Sequence, residues 1–450
     1  MTRPASTSRD VAIRVLRRVE VEGEFANHLL ERAFARTPLA PEDRRLCHLL
    51  VYGVLRQQNR LDHAIAGHSR YPLAGLTPWI RNCLRLGAYQ LLDMPALRAS
   101  VAVDESVRLA RRYGHKGTAS LVNAVLRALA THGEGALPSI EEDPEAYLVI
   151  VQSHPRWLVR RWLKRYGTTT ASEICAADNT PARLTIRWNL LKGGDPAQAL
   201  PILAQGIEGA DRSEVIPEGF FAHGHVPINQ VPLYREGMID LQGLSSMLMP
   251  HLLGVRAGER VLDACAGSGG KACHMADIMH NRGEILCLDR SEAKLRALRR
   301  RARRLGAEIC FPVCGSADRE PPWRESLFDR VLVDAPCSSL GTIQRHPEIR
   351  WLRREEDLPI LARLQQAILF QAARAVRKGG RLVYCTCSLE PEETDEILRA
   401  FLEHHREWMI ENLSERVPAA WQAMVGKDGA LRSLPTSPGA DGFFAFSVRK

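Results

Sequence analysis

Two cysteines stand at the carboxyl ends of strand-like segments, Cys337 in Asp334-Ala335-Pro336-Cys337 and Cys387 in Thr386-Cys387-Ser388, downstream of a glycine-rich turn at Gly267-Ser268-Gly269-Gly270-Lys271. A thiolate is a strong nucleophile, so two thiols facing a nucleotide-type turn point to covalent chemistry. In an open parallel sheet, ligands bind outside the carboxyl ends of the strands, so three such loops on one wound sheet converge on one cleft. The turn itself, Asp263-Ala-Cys-Ala-Gly-Ser-Gly-Gly-Lys271, lets backbone amides approach a ligand closely, and Asp289, ending the next strand, is placed to grip ribose hydroxyls. It lacks both the G-x-G-x-x-G of a dinucleotide fingerprint and the G-x-x-x-x-G-K-[ST] of a phosphate-binding loop. A nucleoside-type cofactor fits it better.

The elements that must carry these loops alternate in type. Strand-like runs at Val261–Cys265, Glu284–Asp289, Glu308–Phe311, Phe328–Asp334 and Arg381–Cys385 are separated by helical stretches, and a last strand is expected at Gly442–Val448. That grammar builds a mostly parallel sheet with both faces covered. From Arg9 to about Thr131 apolar residues recur at helical spacing, as in Val11, Val15, Leu16 and Val19, with breaks at Pro38, Pro41, Pro72, Pro78 and Pro95. An all-helical bundle is expected over 1–135, a linker near His132–Pro144, a small mixed α/β unit over 145–240, and the sheet-bearing domain over 241–450. Disorder is expected only at Met1–Ser8.

The 450 residues carry a net charge of +9, which favours a polyanionic partner, nucleic acid before membrane surface. No apolar run reaches membrane-span length and no signal core follows Met1, so a cytoplasmic location is expected. Eleven cysteines without an export signal read as reduced thiols. With no Cys-x-x-Cys pair, no metal is expected.

Two long signatures carry a resemblance. Asp334-Ala-Pro-Cys-Ser-Ser-Leu-Gly-Thr-Ile-Gln-Arg-His-Pro-Glu-Ile-Arg-Trp351 and Leu382-Val-Tyr-Cys-Thr-Cys-Ser-Leu-Glu-Pro-Glu-Glu393 resemble the RNA (cytosine-5)-methyltransferases, with the likeness running from about Gln242 to Lys450. Asp104-Glu-Ser-Val107 and Leu121-Val-Asn-Ala-Val-Leu-Arg127 make the helical module similar to the antitermination factor NusB. The resemblance implies a Rossmann-like domain with a seven-stranded sheet, S-adenosyl-L-methionine as cofactor, and small-subunit (16S) ribosomal RNA, free or in an early assembly particle, as partner of a monomer. It also implies roles: Cys387 as attacking thiol, Cys337 in product release, Asp334 holding the cytosine edge or the surroundings of the methyl, and Lys271 supplying positive charge. Cofactor contacts would come from Cys265, Ala266, Gly267, Ser268, Gly269, Gly270 and Lys271, from Asp289 and Arg290, from Ser316 or Asp318, and from Asp334 and Pro336. DNA cytosine methyltransferases place their nucleophile in a Pro-Cys, which makes Cys337 the rival nucleophile.

The chain departs from the family's first turn, Cys-Ala-Ala-Pro-Gly-Gly-Lys, by Gly267-Ser268 in place of Ala-Pro, a change expected to loosen the backbone and weaken cofactor binding. RNA contacts are expected from the basic face of Lys294–Leu305, whose Leu295, Leu298, Ala302 and Leu305 form a packing stripe, and from Arg345-His346 and Arg350-Trp351. The competing readings are an RNA-binding assembly or antitermination factor without catalysis, and a transfer-RNA or DNA cytosine methyltransferase.

Overall fold

Thr7 accepts a hydrogen bond from the Asp10 amide and so caps the first helix, which ends where Gly23 turns left-handed at φ 66°. The expected disorder at Thr7 and Ser8 is corrected: Thr7 caps the helix and Ser8 is buried in its first turn. In this computed structural model the described residues are 7–223, 226, 228–320, 325–437 and 439–450, so the rest of the expected mobile terminus lies outside them.

The chain forms two units, Met1–Thr180 with Ile343–Glu355, and Pro181–Thr342 with Glu356–Lys450. In the first, helices α1 (Ser8–Glu22), α2 (Ala26–Arg36), α3 (Pro41–Ala66), α4 (Pro78–Asp93), α5 (Ala99–Tyr113) and α6 (Lys116–His132) surround a core that includes Leu16, Leu50, Leu84, Leu109 and Leu126. Prolines open α3 and α4, where a missing amide costs nothing. Two further helices belong to this unit, α7 (Pro144–Ile150) and α8 (Arg156–Asn179), the latter broken at Gly167.

The second unit carries two sheets. The smaller, strands β1 (Leu184–Trp188), β2 (Ala210–Arg212), β3 (Gly219–Ala222) and β4 (Ile239–Leu241), is antiparallel in the order β2-β3-β1-β4, with short helices α9 (Leu190–Gly193), α10 (Ala199–Leu203) and α11 (Pro232–Arg235) beside it. The larger runs β10 (Met409–Glu411), β12 (Phe443–Arg449), β9 (Val376–Thr386), β8 (Phe328–Asp334), β5 (Arg260–Asp263), β6 (Glu284–Asp289) and β7 (Cys310–Cys314), with β11 (Leu431–Ser433) added beside β12. Strands β5 to β9 are parallel and β12 is antiparallel to β9. Val331, Leu332 and Val333 are all buried, as expected of a strand covered on both faces. The covering helices are α12 (Leu244–Leu253), α13 (Gly270–Ile278), α14 (Glu292–Leu305), α16 (Asp357–Ala375) and α17 (Asp395–His404); α15 (Ile349–Leu352) folds in the first unit.

Leu295, Leu298, Ala302 and Leu305 of α14 are buried as the stripe predicts. The basic face is not all solvent-facing, however. Arg301 and Arg304 both pair with the fully buried Asp240 of β4, at 2.8 and 2.5 Å, and Arg187 of β1 pairs with Asp277 of α13 at 2.5 Å. These arginines neutralise buried carboxylates that would otherwise be strongly destabilising, so Arg301 and Arg304 are removed from the RNA candidates. Arg350 and Trp351 are corrected in the same way. The fully buried Arg350 guanidinium donates to the carbonyls of Ser153 and Asp178 and to Asn179 Oδ1, and the Trp351 indole donates to the Leu55 carbonyl at 2.7 Å. Both side chains hold the helical unit together.

Candidate active site

The order of the parallel strands reverses between β5 and β8, the position at which open α/β sheets form their ligand crevice. Strand β5 delivers the glycine turn, β8 delivers Asp334 and the Cys337 loop, and β9 delivers Cys387.

The turn is tied down. Gly267 has φ +55° and Gly269 +84°, both in the region that favours glycine, and a Cβ on Gly269 would lie 2.6 Å from Leu298 Cγ. Asp289 Oδ2 accepts the Gly267 amide at 2.9 Å while its Oδ1 accepts the Ser291 amide, and Arg301 donates to the Ser268 hydroxyl at 3.3 Å. The bonds from Asp289 and Arg301 restrain the segment that the Gly267-Ser268 replacement was expected to loosen. A Cβ on Gly267 would meet nothing within 4 Å, so the turn opens onto free space. Next along the edge, the Gly315 amide donates to the Asp289 carbonyl, and the Ser316 hydroxyl donates to Asp318 Oδ1. Ser316 and Asp318, between which the sequence left a choice, act as one hydrogen-bonded pair. Arg290 is exposed, whereas Ala266 is buried and Cys265 and Pro336 are half-buried.

At the other side of the crevice, Lys271 Nζ lies 2.5 Å from Asp334 Oδ2. Burial pulls the ammonium's pKa down, but the Asp334 carboxylate outweighs it and holds Lys271 protonated. Asp263, fully buried at the end of β5, has its carboxyl raised to about 7 by burial and then by Asp334.

The two thiols lie 3.4 Å apart, Sγ to Sγ. Either sulfur can donate in their hydrogen bond; with Cys387 as acceptor that bond and the Ser339 hydroxyl lower its pKa, while the same bond and burial raise Cys337 well above the ordinary thiol range. Cys387 is also the more accessible, since Cys337 is buried. Ser339 itself sits at φ 63°, an uncommon conformation for a residue with a Cβ.

Sequence reasoning missed what fixes this geometry. Glu393, fully buried, accepts at Oε1 from the Ser338 amide (2.8 Å) and Gln365 Nε2 (2.8 Å), and at Oε2 from the Ser338 and Ser388 hydroxyls (2.5 Å each). One carboxylate thus clamps the residues that follow each cysteine. The Gly341 amide also donates to the Cys387 carbonyl at 2.9 Å. Glu393 closes the second signature, and a buried acid beside two serine-bearing loops was the available signal.

Sequence reasoning also missed Glu218, His251 and His274, whose ligand atoms lie within 4.8 Å of one another. Both histidines place Nε2 on Glu218 Oε1, at 2.6 and 2.7 Å, and burial, then Arg187, lowers His274 to about 3. A metal on His274 Nε2 would move that ring's proton to Nδ1, which is buried without a partner. The triad forms a hydrogen-bonded bridge between α12, α13 and the edge of β3.

Comparison with known proteins gives this geometry a family. Residues 250–449 match the family described as 16S rRNA methyltransferase RsmB/F, residues 6–131 the NusB family, and residues 154–229 the ferredoxin-like domain of RsmF/B-like methyltransferases. The chain is a methyltransferase with a NusB-type helical module. It is 35% identical over 98% of both chains to the probable ribosomal RNA small subunit methyltransferase B of Bacillus subtilis. The crystal structure of PH0851 matches 98% of both chains at 26% identity with a TM-score of 0.83, and a methyltransferase homolog from Pyrococcus horikoshii covers 67% of this chain and 97% of its own at 27% identity and a TM-score of 0.57. The chain belongs to the RsmB/F family of 16S rRNA methyltransferases.

Proposed function

We propose that the chain methylates the C5 carbon of a cytosine in small-subunit ribosomal RNA, with S-adenosylmethionine as donor, through a transient bond between Cys387 and the base. The observation that carries this reading is the asymmetric thiol pair beside an open glycine turn. The donor would be held by the turn at Cys265–Lys271, by Asp289, and by the Ser316–Asp318 pair, with Arg290, Asp334 and Pro336 bordering it. When bound it supplies an electrophilic methyl group.

C5 of cytosine is a poor nucleophile, so the Cys387 thiolate adds to C6, forming an S–C bond and pushing the ring's electron pair toward C5. The methyl would reach C5 with its bonding pair left on the donor sulfur, which departs as a neutral thioether, and removal of the C5 proton by a base then lets the Cys387 S–C6 bond break and the C5–C6 double bond re-form. Cys337 is placed for that last phase. Its sulfur lies 3.4 Å from the Cys387 sulfur, beside the carbon to which that sulfur would bond. Lys271 and Asp334 form a fixed dipole that orients the base. The base reaches the thiols flipped out of its stack. The work divides among modules near 1–135, 145–240 and 241–450, the helical one adding RNA affinity, and the enzyme acts as a cytoplasmic monomer.

Incubation of the protein with labelled S-adenosylmethionine and unmethylated small-subunit ribosomal RNA, followed by nucleoside analysis, should give 5-methylcytidine. RNA binding without any 5-methylcytidine would mark a noncatalytic assembly factor. Cys387→Ala should abolish turnover, and Cys337→Ala should accumulate a protein–RNA adduct stable to denaturant. The opposite pattern would exchange the two roles.

A further inference from the structure

At the amino ends of the same parallel strands lies a cavity of about 470 Å³ whose walls include Arg256, Arg330, Arg377, Arg381, Arg416 and Arg449. Three of these are register partners across adjacent strands, Arg330 of β8 opposite Arg381 of β9, and Arg381 opposite Arg449 of β12. Register partners share one face of a sheet, and like charges directly opposite one another are destabilising. Acids compensate only part of this. Glu259 pairs with Arg330 at 2.8 Å, Asp329 with Arg377 at 2.5 Å, and Glu411 with Arg381 at 2.5 Å and Arg416 at 3.5 Å. The carbonyls of Leu252 and Leu253, at the end of α12, take further bonds from Arg416 and Arg381. Among the described residues, Arg256 and Arg449 have no acidic partner, and both are exposed. The strain registers electrostatically: burial first, then neighbouring arginines, depress the guanidinium of Arg416, and the same neighbours oppose Arg330.

A cavity lined by six arginines and one acid, Glu259, with Asp329 and Glu411 as the other carboxylates paired to those arginines, is built to receive an anion. We infer that it docks the phosphodiester backbone of the RNA substrate at the sheet edge opposite the thiols. Cys387 stands six positions beyond Arg381, just past the end of β9 and roughly 20 Å along the strand direction, so a phosphate held here belongs to a part of the RNA distant from the reacting cytosine. The contact positions the RNA without reading its sequence. This inference rests on the reading that RNA is the substrate.

The test compares the full-length wild type with an Arg256→Glu/Arg449→Glu double variant and its Arg256→Lys/Arg449→Lys counterpart, using an unmethylated small-subunit ribosomal RNA transcript. The charge-reversed protein should bind the transcript about tenfold more weakly, and its slope of log K against log salt should be shallower by about 1 to 2. Its kcat at saturating RNA should be unchanged, and the lysine pair should retain most of the affinity. Thermal midpoints without RNA should not fall, because reversal relieves repulsion. Equal affinity and slope in all three proteins would overturn the inference while leaving methylation intact. A wild type that neither binds nor methylates the transcript would instead overturn the functional reading. Stabilisation of the wild type alone by millimolar inorganic phosphate, with RNA affinity the same in all three, would assign the cavity to free phosphate and also overturn it.

Discussion

The two edges of the parallel sheet solve opposite electrostatic problems with the same strands. At the carboxyl edge acids are held by fixed partners: Lys271 pairs with Asp334, Asp289 accepts two backbone amides, and the Glu393 carboxylate is filled by four neutral donors. At the amino edge six arginines face three acids. Matching fixes side chains in place, as chemistry on a single carbon requires. An unmatched excess attracts a polyanion over a distance and tolerates imprecision. The difference teaches that one strand can carry both tasks when its ends face different solvents and partners.

The comparison can be broken most sharply at the thiols. Cys387→Ala should lower methylation by about 10³-fold or more, while filter binding shows RNA affinity within about twofold, because the amino edge is untouched. Glu393→Ala should come next. Removing the clamp leaves the Ser338 amide and hydroxyl without their partner, and kcat should fall about 100-fold with a loss of stability of about 1–3 kcal/mol. Glu393→Gln, which keeps the shape but loses acceptor capacity, should recover part of the stability in chemical denaturation.

Asp263 gives a smaller, pH-dependent effect. Its native carboxyl titrates at about 7 against an ordinary 3.8, so its protonation stabilises the fold fully below about 3.8, and this contribution is lost as pH rises through 7. Thermal midpoints of the wild type should therefore gain on those of Asp263→Asn as pH drops from 7 to 5. The smallest effect is expected at the amino edge. Arg449→Gln removes one member of the cross-strand arginine row and should raise stability by about 0.2–1 kcal/mol; a loss of that size would show that the row is already compensated.

Much of the catalytic half is legible in the amino-acid sequence. Alternating strands and helices dictate a sheet whose loops converge, and the structure brings Lys271, Asp334, Cys337 and Cys387 to one edge accordingly. Helical spacing of apolar residues also marks the buried stripe of α14. What escaped depends on partners far away in sequence. Arginines at 301 and 304 read as a solvent face because helical spacing cannot reveal that Asp240 lies buried against them. Arg350 and Trp351, close to a catalytic signature, read as RNA-gripping residues; their partners at Ser153, Asp178, Asn179 and Leu55 have no sequence pattern that announces them. Glu393 and the Glu218 triad were missed for the same reason, since each gathers residues from several elements without a fixed spacing.

The stretch Ile343–Glu355 continues directly from the loop that bears Cys337, yet it folds as part of the helical unit, where the Glu348 side chain accepts the Ala26 amide at 2.9 Å. Cutting the gene at the apparent module boundary would therefore divide a cooperative unit rather than separate two. A fragment beginning near residue 241 should carry this stretch stripped of its partners, with Ile349, Trp351 and the buried groups of Glu348 and Arg350 exposed to proteolysis, and useful truncations of this enzyme would have to rebuild or excise it.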